Sequence, residues 1–166
     1  DYRNVQIDSL NNFSISENYL KDMFFDNLKL IENKNILEIG SGAGRFTEIL
    51  LSSGAYVISV EMSQAIYSNQ LNNRSNNIIF IKSSLYNLEF LNDIFDYVLC
   101  YGVAQHTPDL KKTYKVCCDF AKQNGKISID HYIKVYHPSA FSTPKYIWRP
   151  ITKRIKPELL LKIVSF

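Results

Sequence analysis

An α/β fold with a doubly wound parallel sheet and helices on both faces is predicted by three features of the sequence. Short apolar runs alternate with stretches of helical spacing, the runs are continuously apolar, and no hairpin signal separates them until Asn124-Gly125. Strands alternating with helices call for parallel pairing through crossovers. A strand without polar alternation is one covered on both faces. One domain accounts for 166 residues, and 46% hydrophobic residues with 21% charged ones exclude a disordered chain. Six glycines and five prolines exclude collagen-like or linker-like material. No apolar run approaches the roughly 18 residues of a membrane-crossing helix, and the polar opening DYRNVQIDSLNNFS is no secretory signal.

Each element follows from spacing and end signals. Ser14-x-x-Glu17 reads as a capping box, and Tyr19, Leu20, Met23, Phe24 and Leu28 continue at helical spacing, which predicts a helix over about Ser16–Ile31 within an N-terminal segment 14–34. Asn35–Ile39 is an apolar run ending in glycines and reads as strand 1. Phe46, Ile49 and Leu50 mark a helix over Arg45–Ser52. Ala55–Val60 is strand 2, a short helix covers Gln64–Leu71, Ile78–Ile81 is strand 3 and Phe95–Cys100 is strand 4. Thr107 is placed to cap a helix whose first residue is Pro108. Asn124-Gly125 reads as a turn before strand 5, Lys126–Tyr132. From about Val135 to Arg149 the pattern breaks down, with Pro138, Pro144 and Pro150 and many aromatics, which predicts an excursion over the top of the sheet. A helix is expected over Pro157–Phe166.

Three cysteines, Cys100, Cys117 and Cys118, are too few for a disulfide framework and are expected as buried thiols in a reducing, cytoplasmic setting. His106, His131 and His137 lack metal-ligand spacing, so no metal site is expected. The net charge is +3, with Lys145, Arg149, Lys153, Arg154 and Lys156 grouped without an acid. That run is read first as a solvated face and second as a patch for phosphate-bearing partners. The abundant Asn, Ile and Lys are attributed to nucleotide bias and given little functional weight.

Strand 1 runs into Glu38-Ile39-Gly40-Ser41-Gly42-Ala43-Gly44 and then a helix. Glycines there permit a tight strand-to-helix turn and a close approach to a ligand. In open parallel sheets ligands bind beyond the carboxyl ends of the strands. Glu61 ends strand 2, where two carboxylate oxygens suit a ribose diol. The dinucleotide fingerprint Gly-x-Gly-x-x-Gly fails, because position 45 is Arg45. A carboxylate at Glu38 attracts an ammonium and repels a pyrophosphate, which favours an amino-acid-bearing nucleoside.

The acidic residue followed by Gly-x-Gly-x-Gly resembles the first motif of the class I S-adenosylmethionine-dependent methyltransferases. IIFIKSSLYNLEF, FDYVLCYGVAQHTPDL and KISID are similar to that family's later segments, so the resemblance covers about Asn35–Tyr132. It implies a Rossmann-like fold, S-adenosyl-L-methionine as cofactor and S-adenosyl-L-homocysteine as product. By this resemblance Glu38, Gly40, Ser41, Gly42 and Gly44 serve the methionine portion and Glu61 the ribose. Met62 packs on the adenine, Ser84 and Leu85 meet its edge, and Tyr101 and Gly102 border the transferred methyl. Ser84 departs from the acidic residue the family often carries there.

A methyl on a sulfonium is already electrophilic, so the protein's main work is alignment and exclusion of water. A base is needed only for a hydroxyl or a protonated amine. His106, following strand 4, is the first candidate, and His131, ending strand 5 beside Tyr132, is the second. Tyr136, Phe141, Tyr146 and Trp148 are candidates for a lid or substrate wall. The Asp/Asn-Pro-Pro-aromatic motif of amino-methylating nucleic-acid enzymes is replaced by Tyr101-Gly102-Val103-Ala104, and no cysteine follows a proline as cytosine-C5 chemistry requires. A small-molecule acceptor methylated at O or N is therefore expected, with RNA or protein acceptors left open. The rival readings are a non-catalytic S-adenosylmethionine-binding module and a nicotinamide-dependent oxidoreductase. The chain begins at Asp1 and ends at Phe166 inside an apolar stretch, so a truncated member, with its last strands beyond the end, is expected.

Overall fold

The computed structural model describes residues 7–12, 14–23, 27–88, 91–132, 150–156 and 159–160. The chain divides into two units, Asp1–His131 and Tyr132–Phe166. In the first, two short helices, α1 (Asp8–Asn11) and α2 (Ile15–Met23), precede β1 (Asn35–Ile39), α3 (Arg45–Ser52), β2 (Tyr56–Val60), α4 (Ala65–Asn72), β3 (Ile78–Ile81), β4 (Phe95–Cys100), α5 (Leu110–Phe120) and β5 (Ala121–Ile129). The strands form one sheet in the order β3-β2-β1-β4-β5. Every pairing is parallel. The strand order reverses beside β1, so the β1 and β4 ends flank the crevice where such sheets bind ligands.

Side-chain alternation along β1 splits the core. Ile36 packs with Leu20 of α2 and Phe46, Ile49 and Leu50 of α3 on one face. Leu37 and Ile39 pack with Val98, Cys100, Cys117 and Phe120 on the other, under α5. Burying each such aliphatic side chain is worth roughly 1.5–3 kcal/mol. This two-sided cover is why β1 and β4 carry no polar alternation.

Several expectations are corrected. The N-terminal helix does not run unbroken over Ser16–Ile31: α2 is described over Ile15–Met23, and Leu28–Ile31 is a separate 3-10 turn. Asn27 between them sits at φ −124°, ψ 80°, outside the helical region. The N-terminus of α2 is capped from α1, because Asp8 Oδ2 accepts from the Ser16 and Glu17 N–H groups at 2.7 and 3.2 Å. α5 starts at Leu110, and its cap is Asp109, whose carboxylate accepts from Lys112 N–H at 3.0 Å. Thr107 instead donates to the Ala104 carbonyl at 2.7 Å.

β5 begins at Ala121 directly after α5 and ends at Ile129, so His131 and Tyr132 lie past its end. Asn124-Gly125 is an irregularity inside β5: the register steps from Phe95↔Ala121 to Tyr97↔Lys126, with Asn124 at φ 68°. Cys118 is exposed, against the expectation for all three thiols, whereas Cys100 and Cys117 are buried. His137, Tyr136, Phe141, Tyr146, Trp148, Lys145 and Arg149 lie outside the described residues, as does most of the expected helix over Pro157–Phe166. Among the described residues no helix is long and apolar enough to cross a membrane.

Candidate functional site

The β1–α3 connection is built on three left-handed glycines, Gly40 (φ 73°), Gly42 (φ 56°) and Gly44 (φ 93°). Such angles cost an L-residue roughly 1–2 kcal/mol each. Two of the three also fill positions without room for a side chain. A Cβ on Gly40 would lie 2.0 Å from Val103 Cγ2, and one on Gly44 would lie 2.1 Å from Asn69 Oδ1. Gly42 differs: nothing stands within 4 Å of its Cβ position. The loop is pinned by Gly40 and Ser41 N–H groups donating to the Val60 carbonyl at 2.7 and 3.2 Å.

A cleft of about 410 Å³ opens at the carboxyl ends of β1, β2, β3 and β4. Its wall brings together Gly40, Glu61, Met62, Ser84, Leu85, Gly102 and His106, residues singled out from the sequence. The Glu61 carboxylate accepts from Gly42 N–H at 3.2 Å and from Ser63 N–H at 2.8 Å. Each oxygen keeps a further acceptor direction. Met62 is 74% exposed, an apolar side chain with no core to cover. Ser84 Oγ accepts from Tyr86 N–H, capping the 3-10 turn Leu85–Asn87. A larger apolar groove of about 560 Å³ runs along β4 and β5 past Met23 and Leu30, and none of the site candidates lines it.

Glu38, Ser41, Gly42, Gly44, Tyr101 and His131 do not line this cleft. Tyr101 is buried among aromatic rings, edge-on to Tyr19 (5.7 Å) and Phe46 (5.6 Å), with the Arg45 guanidinium 4.2 Å from the Phe46 centroid. Burial pushes the Tyr101 hydroxyl well above its ordinary pKa. Its neighbour Gly102 donates its N–H to Asp130 Oδ1 at 2.6 Å. His131 sits edge-on to Tyr114 of α5, its ring 6.3 Å away, and does not line the cleft.

Glu38 lies under the loop on the α3 face, 2% exposed, its Oε2 accepting from the Thr47 hydroxyl at 2.5 Å. Burial pushes its carboxyl up to about 7, against the pull of the Thr47 and Ser59 hydroxyls. Between pH 4.5 and 7 the folded chain therefore holds a proton that the unfolded chain has released. Stability contributed by this group falls as pH rises through that window, by on the order of 3 kcal/mol, and is flat above it. Asp96 acts lower: burial opposes it, but the Asn35 N–H and the Lys122 ammonium hold it below its usual 3.8. Its stabilisation is lost only in stronger acid. Urea unfolding across pH 4.5–7.5 should show Glu38→Gln removing the neutral-range slope, and a slope kept in the variant would show that another group causes it.

Buried Glu38 Oε1 and Ser41 Oγ have no hydrogen-bond partner within the described chain. An orphaned carboxylate oxygen before the glycine loop and an orphaned hydroxyl within it suit a ligand with a charged amino-acid end. Beside them, the cleft offers a carboxylate and an exposed methionine, suiting a nucleoside. Among the described residues no cluster of three or more His, Cys, Asp or Glu could hold a metal.

Sequence reading missed the support below the loop. Thr47, Ser59 and Asn69 are fully buried polar residues joined by hydrogen bonds, and Asn73 extends the network to Gly44. The signal was available, since polar residues at apolar-face positions of α3, β2 and α4 require partners.

A family model described as a methyltransferase domain matches residues 37–129. A ubiquinone biosynthesis O-methyltransferase of Coxiella burnetii is 28% identical over 112 residues, covering 64% of this chain and 48% of that protein. A ribosomal RNA small subunit methyltransferase A of Mycoplasmopsis pulmonis is 32% identical over 97 residues, 58% of this chain and 36% of its own length. The chain thus spans about half or less of the curated relatives it matches. Among solved structures, phosphoethanolamine N-methyltransferase 1 of Haemonchus contortus, in complex with phosphoethanolamine and S-adenosylhomocysteine, superposes with a TM-score of 0.60 at 21% identity, over 74% of this chain and 26% of that one. The YcgJ protein of Bacillus subtilis gives 0.54 at 26% identity, over 63% and 48%.

Proposed function

The chain belongs to the methyltransferase-domain family, and from that premise we propose that it binds S-adenosylmethionine in the cleft and transfers the methyl to an oxygen or nitrogen of a small molecule. The observation that carries this reading is the glycine loop with Glu61 beside it. The loop is open at Gly42, Glu38 Oε1 and Ser41 Oγ are unpartnered within the described chain, and the Glu61 carboxylate accepts from Gly42 N–H, which supports a ribose role for Glu61. S-adenosylmethionine, when bound, supplies a methyl on a positively charged sulfur that needs no further activation. What remains for this chain is binding and alignment. Glu61 takes the ribose hydroxyls, Met62 packs on the base with Ser84 and Leu85 at its edge, and the loop 40–44 seats the amino-acid end. Glu38 acts from beneath the loop, and Asp130 holds the Gly102 turn through the Gly102 N–H.

His106 is the proposed proton acceptor, because it alone of the described histidines lines the cleft. His106→Ala is expected to lower kcat by roughly 10²-fold or more while leaving S-adenosylhomocysteine affinity within about twofold. His131→Ala should leave both unchanged. An unaltered kcat in His106→Ala removes the base assignment.

The small-molecule reading is supported by the similarity to an O-methyltransferase of ubiquinone biosynthesis and by Tyr101-Gly102-Val103-Ala104 after β4. The ribosomal RNA relative motivates an RNA acceptor as a second reading. Labelled methyl transfer, offered phenols, small amines and total ribosomal RNA in parallel, separates them. Label in a phenol or amine is expected; label in RNA alone would overturn the small-molecule reading, and cofactor binding without transfer to any acceptor class would favour the binding-module alternative.

A further inference from the structure

The asparagines of α4 and its carboxyl end stand in an unusual relation to the glycine loop. Asn69 is fully buried and Asn73 is 6% exposed. Asn73 Nδ2 donates to the Gly44 carbonyl at 3.0 Å and to Asn69 Oδ1 at 2.8 Å. Asn69 Nδ2 donates to Thr47 Oγ1 and Ser59 Oγ, both at 2.9 Å. Asn72 Nδ2 donates to the Ala43 carbonyl at 3.0 Å. Two successive loop carbonyls are therefore held by amides from one helix end, where residues three and four apart share a face.

The fit is reciprocal. The space a Cβ would need at Gly44 is filled by Asn69 Oδ1 and Asn73 Nδ2, at 2.1 and 2.2 Å. Gly44 and the two amides thus require one another. Through Thr47 the same network reaches Glu38. A left-handed loop of glycines has many alternative conformations when free. Here the peptide planes at Ala43 and Gly44 are tied, and the neighbouring Gly42 is left open.

We propose that Asn69, Asn72 and Asn73 are positioning residues for cofactor binding, an amide clamp that holds the glycine loop in its binding geometry before the ligand arrives. This rests on the cofactor reading given above. The clamp touches no substrate; it lowers the ordering cost of binding by fixing the loop in the free protein.

Two variants test it. Asn72→Ala removes one half-buried bond, and Asn73→Asp keeps the side-chain shape while turning a donor into an acceptor against Gly44 O and Asn69 Oδ1. Hydrogen exchange of the free chain should show loop amides 40–44 opening roughly tenfold faster, with β1, β4 and β5 unchanged. S-adenosylhomocysteine should bind roughly tenfold more weakly, and KM for the cofactor should rise while kcat at saturation holds. Wild-type chain that fails to bind S-adenosylhomocysteine overturns the cofactor reading. Wild-type binding with unchanged affinity and unchanged loop exchange in both variants overturns the clamp alone. Deprotection spread evenly over the sheet in Asn72→Ala also overturns it, because the asparagine would then be merely structural.

Discussion

Gly44→Ala should destabilise the domain by roughly 3 kcal/mol or more, whereas Gly42→Ala should cost only about 1 kcal/mol and yet abolish cofactor binding. Both residues adopt positive φ, so both variants incur the left-handed penalty of roughly 1–2 kcal/mol. At Gly44 the new methyl also meets Asn69 and Asn73 at 2.1 and 2.2 Å, inside a buried network that cannot give without breaking bonds. At Gly42 the methyl meets nothing. It would occupy the space proposed for the ligand. Urea unfolding and S-adenosylhomocysteine titration of the two variants separate these effects. Equal destabilisation with retained binding in Gly42→Ala would show that the open side of the loop is not the ligand's seat.

Glu61→Ala should weaken S-adenosylhomocysteine binding by about 10²-fold while shifting unfolding by less than about 1 kcal/mol. Hydrogen bonds to a charged acceptor are worth roughly 1.5–3 kcal/mol each. The proposed diol contact supplies two of them, and the variant also strips the Gly42 and Ser63 N–H groups of their acceptor. Stability changes little because the carboxylate is half-buried and water can take its place at both donors. Glu61→Gln is not a conservative control: its amide would present an N–H toward one of the two backbone donors. A Glu61→Ala chain that binds as tightly as wild type would remove the ribose role.

Where local and tertiary forces agree, the fold was legible. β1, α3, β3 and β4 begin and end at the residues read from spacing, because their apolar runs are bounded by glycines, turn residues or a change of period. Elsewhere a nearby group outweighed the local signal. The Leu28–Ile31 turn keeps a helix-like spacing, so the break at Asn27 left no mark on periodicity. Asn124-Gly125 does carry a left-handed residue, but pairing with β4 absorbs it as a bulge within the strand. The cap of α2 comes from Asp8, a long-range partner that no capping-box pattern contains.

The cleft itself was legible in its backbone and less so in its side chains. Gly40, Glu61, Met62, Ser84, Leu85, Gly102 and His106 do meet there. Glu38 and Tyr101 stand on the α3 face, as alternation dictates: Glu38 shares parity with Ile36, and Tyr101 with Tyr97 and Leu99. Asn69, Asn72 and Asn73 carry no distinguishing signal in a composition rich in asparagine. Counting residues could not distinguish a solvated asparagine from Asn69, which is fully buried and bonded at both ends of its amide.

The central claim is that the cleft is built for S-adenosylmethionine and not for a dinucleotide. Calorimetric titration of the purified chain with S-adenosylhomocysteine and, separately, with NAD tests it most directly. Saturable binding of S-adenosylhomocysteine at one site per chain, with no heat from NAD, is the predicted result; binding of NAD without S-adenosylhomocysteine would contradict it.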